Sequence, residues 1–257
     1  MSNDLFSLDG KVAVVVGGGG VLAGCMADGL AGAGASIVVF DFHKENGEAR
    51  AAAIRSTGVK AIAIQGDASK REDLEKALKT TLAEFGGVDI LINAAGVNSA
   101  TPFFEITEAE WQRIIDINLK SVFLACQVFG KAMVDSGKGG SIINISSASS
   151  GPPLSKVFTY SVTKGGVNQI TQFLAREWAT QRVRVNAIRP GFFPAEQNRA
   201  VLTPERVAQI MGHTPMKRFG EASELVGATI FLASDKASSF VTGSILTVDG
   251  GFLAQTI

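Results

Sequence analysis

Two side chains that can move a proton lie four residues apart in the stretch YSVTK, from Tyr160 to Lys164. On a helix this spacing places both side chains on one face, one turn apart. A free phenol titrates near pH ~10, but a lysine ammonium beside it favours the phenolate and lowers that pKa. Such a tyrosine can take up or supply a hydroxyl proton at neutral pH. The pair therefore predicts an acid/base site for an alcohol or a carbonyl group.

Two further features support this prediction. Tyr160 is the only tyrosine in the chain, beside 16 phenylalanines, so a phenol occurs at a single position. Ser147, in the stretch INISSASSG, lies thirteen residues earlier at the end of a predicted strand, where its hydroxyl can hold a substrate oxygen. A Tyr-x-x-x-Lys spacing alone also occurs on half-exposed helix faces. The acid/base prediction therefore depends on what lies around the pair.

A run of four glycines, Gly17 to Gly20, follows a hydrophobic strand candidate and precedes an apolar, helix-like segment. Backbone N–H groups in such a turn, together with the positive end of the helix dipole, can bind a phosphate. The pattern Gly18-x-Gly20-x-x-Ala23 fits the dinucleotide fingerprint that admits alanine at its last position. The alternative is a glycine-rich turn that only lets the helix pack close to the sheet.

Asp41 ends the next strand candidate, 24 residues after Gly17. A carboxylate at this position can accept hydrogen bonds from ribose hydroxyls and repels a 2′-phosphate. No lysine or arginine lies among the four glycines to offset that repulsion, although His43 and Lys44 are close. The sequence therefore predicts a nicotinamide dinucleotide site that favours NAD, with NADP the less favoured cofactor.

Short Val/Ile-rich runs alternate with helical patterns along almost the whole chain. The runs are nearly continuously apolar, as expected of strands covered on both faces. Alternation of this kind predicts βαβ units, a parallel sheet and an α/β fold. The seven predicted strands are 11–16, 36–41, 60–65, 88–93, 140–146, 182–188 and 244–249.

Composition excludes several classes of function. The formal net charge is zero, so the chain has no electrostatic footprint for nucleic acid or an anionic membrane. We expect no transmembrane helix and no secretory signal, and the two cysteines indicate a reducing compartment, so a cytoplasmic location is predicted. We predict no metal site, because His43 and His213 are the only histidines and neither has a second ligand at metal spacing.

One long irregular stretch runs from Pro190 to about Thr203, before a helix candidate at 204–213. Long loops in compact α/β folds are usually lids or binding loops, and this one leaves the edge of the sheet where ligands bind. We therefore predict a single domain over 1–257, with a substrate lid at about 190–215. No linker or internal repeat indicates a second domain.

The chain resembles the short-chain dehydrogenase/reductase family from end to end. The resemblance lies in the glycine turn, Asp67 in GDAS, Asn93-Ala94-Ala95-Gly96, Asn118 in DINLKSVF, Ser147, Tyr160-x-x-x-Lys164, Pro190-Gly191 and the C-terminal VDGG, in the family's order and spacing. It implies a single doubly wound Rossmann-type domain with a seven-stranded parallel sheet and helices on both faces. It also implies a homotetramer that interconverts an alcohol and a ketone with NAD or NADP.

The resemblance assigns roles to particular residues. Tyr160 would be the acid/base, Lys164 would lower its pKa and hold the nicotinamide ribose, Ser147 would orient the substrate and Asn118 would hold a water in a proton relay. The implied cofactor-binding residues are Gly17, Gly19, Gly20, Val21, Leu22, Asp41, Asp67, Ala68, Asn93, Ala94, Ala95, Gly96, Tyr160, Lys164, Pro190, Gly191 and Phe193.

Four positions depart from the family's pattern. In the usual opening Thr-Gly-x-x-x-Gly-x-Gly, the first threonine is replaced by Val16 and the second glycine by Val21, and Ala195 replaces a threonine that commonly follows Pro-Gly; a fourth departure, Ala23 at the last glycine, is one that the dinucleotide fingerprint admits. Val21 places a branched side chain where glycine usually lets the pyrophosphate approach. We expect these changes to weaken cofactor binding more than catalysis.

The variable segments indicate the substrate class. The stretch from RPGFFPAEQNRAVL to HTPMKRFGEASELVG, and the GGGGVL turn, most resemble the mannonate/fructuronate and gluconate type oxidoreductases, which favours a sugar acid or polyol. Candidate substrate contacts are Asn98, Ser149, Asn198 and Arg199, because amides, hydroxyls and an arginine fork suit a hydroxylated carboxylate. The alternatives are a 3-oxoacyl or general ketone reductase of the same family, and a non-catalytic dinucleotide sensor.

Overall fold

Seven strands form one parallel sheet in the computed structural model, which describes residues 3–152, 154–194 and 202–255. The strands are β1 (Val12–Val16), β2 (Ser36–Asp41), β3 (Ala61–Gln65), β4 (Ile90–Asn93), β5 (Gly140–Ile145), β6 (Val183–Pro190) and β7 (Ile245–Val248). Their order across the sheet is β3-β2-β1-β4-β5-β6-β7, with every neighbouring pair parallel. Each predicted strand is confirmed, with ends that differ by at most two residues.

The helices cover both faces of the sheet. They are α1 (Val21–Gly32), α2 (Lys44–Ser56), α3 (Arg71–Phe85), α4 (Glu108–Asp135), α5 (Phe158–Trp178), α6 (Pro204–His213), α7 (Val226–Ala233) and α8 (Asp235–Ser238). The single doubly wound Rossmann-type α/β domain is confirmed. The predicted helix at 204–213 is confirmed with the same bounds, since Thr203 caps it and Pro204 occupies its first turn.

Alternate residues of each strand pack against different helix layers, because successive side chains point to opposite faces of a sheet. On one face, α1, α2 and α7 pack against residues such as Val15, Val39 and Ile188. On the other face, α3, α4 and α5 pack against residues such as Val14 and Ile142. The continuous valine and isoleucine runs therefore reflect burial on both sides, as the sequence predicted.

Helix α4 is long and apolar enough, by length and composition, to cross a membrane, but 56% of its most apolar window is buried inside the domain. It contains two π-helical stretches, Asp116–Lys120 and Cys126–Gly130. A π-turn widens the helix locally and is frequent at functional sites. We therefore interpret α4 as an interior helix of the domain.

Helices α1 and α7 are in close contact through a glycine. A Cβ on Gly29 would lie 2.4 Å from Cγ1 of Val226, whereas a Cβ on Gly32, in the same helix, would meet nothing within 4 Å. Because the N-terminus of α1 follows the glycine turn, this contact helps to fix the turn against the sheet.

The two glycines give a matched test of that contact. Gly32→Ala should raise the free energy of unfolding by up to ~1 kcal/mol, because alanine favours a helix over glycine. Gly29→Ala gains the same propensity but must displace Val226, so we expect it to lower that free energy by about 1 to 2 kcal/mol. Denaturant unfolding of both variants measures the difference. Equal effects would show that α7 moves away from the new methyl group without a cost in stability.

Candidate active site

Tyr160 and Lys164 lie one turn apart at the start of α5, as the spacing predicted. The Lys164 side chain is 4% exposed, and its Nζ lies 5.5 Å from the centre of the Tyr160 ring. Nζ donates a 2.7 Å hydrogen bond to the backbone oxygen of Ile145, the last residue of β5. The phenol and the ammonium are therefore held together at the carboxyl end of β5.

Burial changes the protonation equilibria of this pair. It lowers the pKa of the Lys164 ammonium to about 8, because the charged form loses hydration. It also raises the pKa of the Tyr160 phenol, and a side-chain hydrogen bond with Ser147 lowers that pKa by a smaller amount. From the neighbouring charge alone, the sequence predicted a lowered pKa for Tyr160. In the folded protein the loss of hydration is the larger effect.

Ser147 lies at the start of a short turn, Ala148–Ser150, directly after β5. Its Oγ accepts hydrogen bonds from the backbone N–H of Ser149 at 3.2 Å and from the hydroxyl of Ser149 at 3.1 Å. The Ser147 hydroxyl proton remains available for a further acceptor. Because Ser147 also lowers the pKa of the Tyr160 phenol through a side-chain hydrogen bond, the two hydroxyl groups lie near each other at the edge of the sheet.

Asn118 is fully buried in the first π-helical stretch of α4. Its Oδ1 accepts a hydrogen bond from the Val97 N–H and its Nδ2 donates one to the Val97 carbonyl, both at 2.8 Å. A weaker bond joins Nδ2 to the hydroxyl of Thr163 at 3.3 Å. A Cβ on Gly96 would lie 3.6 Å from Asn118 Oδ1 and 3.8 Å from Lys164 Nζ, so the segment after β4 lies against both side chains.

The glycine turn forms an open cradle at the N-terminus of α1. Gly17 has φ of 79°, and a Cβ there would lie 2.9 Å from the Ala95 backbone. Gly20 is the N-cap, and no side chain caps α1. The first N–H groups of a helix lack intrahelical partners, so those of α1 are free to bind an anion. The Val21 side chain is 48% exposed and points outward, and the backbone of the turn is preserved despite the valine.

Asp41 lies directly beside this turn and is 8% exposed. Its two carboxylate oxygens accept hydrogen bonds from the N–H groups of Gly19 and His43, each at 2.9 Å. A Cβ on Gly19 would lie 2.9 Å from Asp41 Oδ2 and 2.8 Å from Cβ of Asn46. Asp41 therefore holds the turn in place, and each oxygen keeps a second lone pair for a ribose hydroxyl.

The remaining cofactor candidates also lie at or near the carboxyl ends of the strands. Asn93 donates to Asn144 on the neighbouring strand at 2.8 Å, and the Gly191 N–H donates to Val248 at 2.9 Å. Leu22 and Phe193 are partly buried and pack against the core. The others are Asp67, Ala68, Ala94, Ala95, Gly96 and Pro190. The glycine cradle, the free helix N-terminus and the Asp41 carboxylate together fit a dinucleotide.

The candidate substrate contacts that the structure describes differ in exposure and in hydrogen bonding. Asn98 is exposed, and its Oδ1 accepts a hydrogen bond from the Ser99 N–H at 2.8 Å. Ser149 is only 3% exposed and its hydroxyl is bonded to Ser147. Asn198 and Arg199 lie outside the described residues, as does Ala195.

Sequence reasoning missed two groups of residues around the site. Ser146, Ser150 and Asn168 form a buried hydrogen-bond network behind Ser147. Arg206 on α6 donates from Nη1 to the Ser155 hydroxyl at 3.2 Å and from Nη2 to the Ser155 carbonyl at 3.3 Å. The position of Asn168, four residues after Lys164, was a usable signal for the first group. The Arg206 contact joins segments far apart in sequence and left no local pattern.

The fold and the site together define an oxidoreductase that uses a nicotinamide dinucleotide. The model of the family described as Enoyl-(Acyl carrier protein) reductase matches residues 20–253. The chain belongs to the short-chain dehydrogenase/reductase family and is an oxidoreductase of that family.

Named relatives cover almost the full chain. The 2-dehydro-3-deoxy-D-gluconate 5-dehydrogenase of Formosa agariphila is 38% identical over 99% of this chain and 97% of its own. The 5-keto-D-gluconate 5-reductase of Escherichia coli K12 is 35% identical over 98% of each chain. The crystal structure of a gluconate 5-dehydrogenase from Burkholderia cenocepacia, in complex with NADP and tartrate, is 35% identical, with a TM-score of 0.95 and full coverage of both chains.

The lowered pKa of Lys164 predicts how stability depends on pH. With a folded pKa of about 8 and an unfolded value near ~10.4, the folded chain binds fewer protons between these limits. The destabilising burial of the charge is therefore present below about pH 8 and disappears as the pH rises towards ~10. Lys164→Met removes this dependence, so the stability of the wild type relative to the variant should increase from pH ~7 to pH ~10.

Denaturant unfolding of both proteins at the two pH values measures this change. Lys131→Met, at a lysine whose side chain is 73% exposed, is the matched control and should give no such increase. A wild-type advantage at Lys164 that is flat or falls with pH would contradict a buried ammonium.

Proposed function

We propose that this protein interconverts a secondary alcohol and a ketone on a sugar acid, with NAD as the preferred cofactor and Tyr160 as the acid/base. The observation that carries the proposal is the meeting of Ser147, Tyr160 and Lys164 at the end of β5. A proton-transferring phenol, a hydroxyl and a buried cation can together supply the acid/base and electrostatic catalysis of alcohol oxidation.

Each side chain has a distinct task in the proposed reaction. A bound nicotinamide dinucleotide accepts or supplies the hydride. The Tyr160 phenolate takes the substrate hydroxyl proton in the oxidation direction and so becomes the phenol, which returns that proton in the reduction direction, while Ser147 holds the substrate oxygen beside it. The Lys164 cation stabilises the phenolate at the moment it forms. Asn118 fixes Val97 and Gly96 against Lys164, and we retain for it the water-holding role that the family resemblance implies.

The substrate class rests on the relatives and on the chemistry around the site. The named relatives act on gluconate derivatives by name, and tartrate, a hydroxylated dicarboxylate, is bound in the Burkholderia cenocepacia structure. We propose Asn98, Ser149, Asn198 and Arg199 as substrate contacts, the first two near the strand ends. Ser149 would act through Ser147, because its hydroxyl is bonded there.

We propose that the segment at about 190–215 is a lid over the substrate. The Arg206–Ser155 contact supports this, because it joins α6 to the loop that connects Ser147 with Tyr160. In the same way, exposed Phe123 on α4 and Phe173 on α5 support a proposed homotetramer that buries these helices. A cytoplasmic location is proposed with it.

Substrate oxidation by the purified protein tests the function directly. We expect NADH formation with aldonic and uronic acids, and much less with neutral polyols and simple secondary alcohols. Tyr160→Phe should lower kcat at least roughly 10²-fold, the lower end of what a positioned acid/base contributes, while NADH binding, followed by fluorescence, is retained. Activity confined to 3-oxoacyl substrates would move the protein to the reductase alternative. Near-wild-type turnover of Tyr160→Phe would disprove the acid/base assignment.

Cofactor preference depends on the charge of Asp41, which also supports the glycine turn. Asp41→Ala should weaken binding of both cofactors but raise the use of NADP relative to NAD, because the repulsion of the 2′-phosphate is removed. The readout is the ratio of kcat/KM for the two cofactors. The NADP bound to the Burkholderia cenocepacia relative makes this the decisive comparison.

Gly19→Ala is the matched control for the turn alone. Its Cβ displaces Asp41 and Asn46 without removing a charge. We expect it to weaken both cofactors while the preference changes less than in Asp41→Ala. An unchanged ratio in Asp41→Ala would remove the charge argument for NAD.

A further inference from the structure

The face of α5 that carries Tyr160 and Lys164 continues one turn further to Asn168. This side chain is 8% exposed, and both ends of its amide are hydrogen-bonded. The Ser146 hydroxyl donates to Asn168 Oδ1 at 2.6 Å, and Asn168 Nδ2 donates to Ser150 Oγ at 2.9 Å. The amide therefore joins α5 to the residue before Ser147 and to the residue that ends its turn.

The network reaches Ser147 itself through Ser150. The Ser150 hydroxyl donates to the Ser147 carbonyl at 2.7 Å, and the Ser150 N–H donates to the same oxygen at 2.9 Å. Ser146 and Ser150 also bond to each other at 3.1 Å. The turn that carries Ser147 is thus held at both ends, and Asn168 is the only side chain of this network that comes from another secondary-structure element.

We propose that Asn168 is a positioning residue, which locks the Ser147 turn to α5 and so sets how the Ser147 hydroxyl approaches the Tyr160 phenol. The inference rests on the proposed function, since it assigns Asn168 a role in the reaction of those two hydroxyls. One helix then carries the acid/base, the cation and the group that aligns the substrate-holding serine. Displacement of an aligned group by about 1 Å can cost up to ~10²-fold in rate, so such a lock has kinetic consequences.

The charged groups on the elements around Tyr160 have bonding partners of their own, so the pKa of the phenol responds to its hydrogen bond with Ser147. Lys164 is the charged group beside it on its own helix. On α4, Asp116 and Lys120 pair with each other at 3.6 Å, and Glu110 accepts a hydrogen bond from Thr101. On β6, Arg189 donates to Thr247. A change in the Ser147 turn that leaves Tyr160 buried therefore alters the pKa of the phenol through this hydrogen bond.

Because Tyr160 is the only tyrosine, ultraviolet absorbance of the protein without substrate or cofactor reports the titration of this one phenol. The Ser147 hydrogen bond lowers the pKa of Tyr160, so a displaced Ser147 should raise it. We expect Asn168→Ala to shift the phenol titration to higher pH in the same direction as Ser147→Ala. With the preferred sugar acid, kcat should fall roughly tenfold or more, with a smaller change in KM.

Asn186→Ala is the matched control for the loss of a buried amide. Asn186 is fully buried, donates to Val241 at 2.9 Å and accepts from Ser244 at 3.0 Å, in the part of β6 away from Ser147. It should lower thermal stability while leaving the phenol titration in place. Should Asn168→Ala fail to fold, Ser150→Ala breaks the same link at its other end and should give the same shift.

The double variant Ser147→Ala/Asn168→Ala tests whether Asn168 acts through Ser147, separately from whether Ser147 has its proposed role. If Asn168 acts through Ser147, the double variant titrates like Ser147→Ala alone. An unshifted phenol in Asn168→Ala and Ser150→Ala, with Ser147→Ala still shifted and slow, would overturn the positioning role and leave the proposed function standing. Normal turnover of Ser147→Ala would instead remove the proposed function of Ser147, and with it the role of Asn168.

Discussion

The hydrogen bond from the Lys164 ammonium to the Ile145 carbonyl joins the chemistry of this protein to its fold. A buried ammonium is costly unless its donors find acceptors, and the carbonyl at the end of β5 supplies one. The bond fixes the start of α5 against β5, and from there the positions of Tyr160 and the Ser147 turn follow. The parallel sheet makes this possible, because the carboxyl ends of all its strands meet at one edge.

Much of the fold could be predicted because local patterns and the tertiary fold agree. The strands are valine and isoleucine runs buried on both faces, and α3 ends at Gly86, whose φ of 76° suits glycine. The strand ends were predicted less well: β6, for example, continues beyond its predicted end through Arg189 and Pro190, which pair with Thr247 and Val248 of β7. The π-helical stretches of α4 could not be predicted, because their extra residue per turn depends on packing around Asn118 and Cys126 and leaves no pattern in sequence.

The candidate site could be predicted in part. The Tyr160, Lys164 and Ser147 side chains meet as their spacing indicated. The protonation of Tyr160 could not be deduced, because desolvation depends on burial that spacing does not reveal. Asp41 is a second example: its type suggested a ribose ligand, but its hydrogen bonds to Gly19 and His43 show a structural role as well. The hydrogen bonds of Ser149 likewise could not be predicted, because they depend on how the turn folds.

The two faces of the sheet carry different parts of the site. The glycine turn opens α1, which packs on the face shared with α2 and α7, while Tyr160, Lys164 and Asn118 belong to α5 and α4 on the opposite face. The two helix layers are separated by the thickness of the sheet and meet only at its edge. A side-chain change in one layer, such as the valine at Val21, therefore need not disturb the packing of the other layer. This separation places the proposed nucleotide contacts and the proposed proton-transferring groups in two layers whose packing does not overlap.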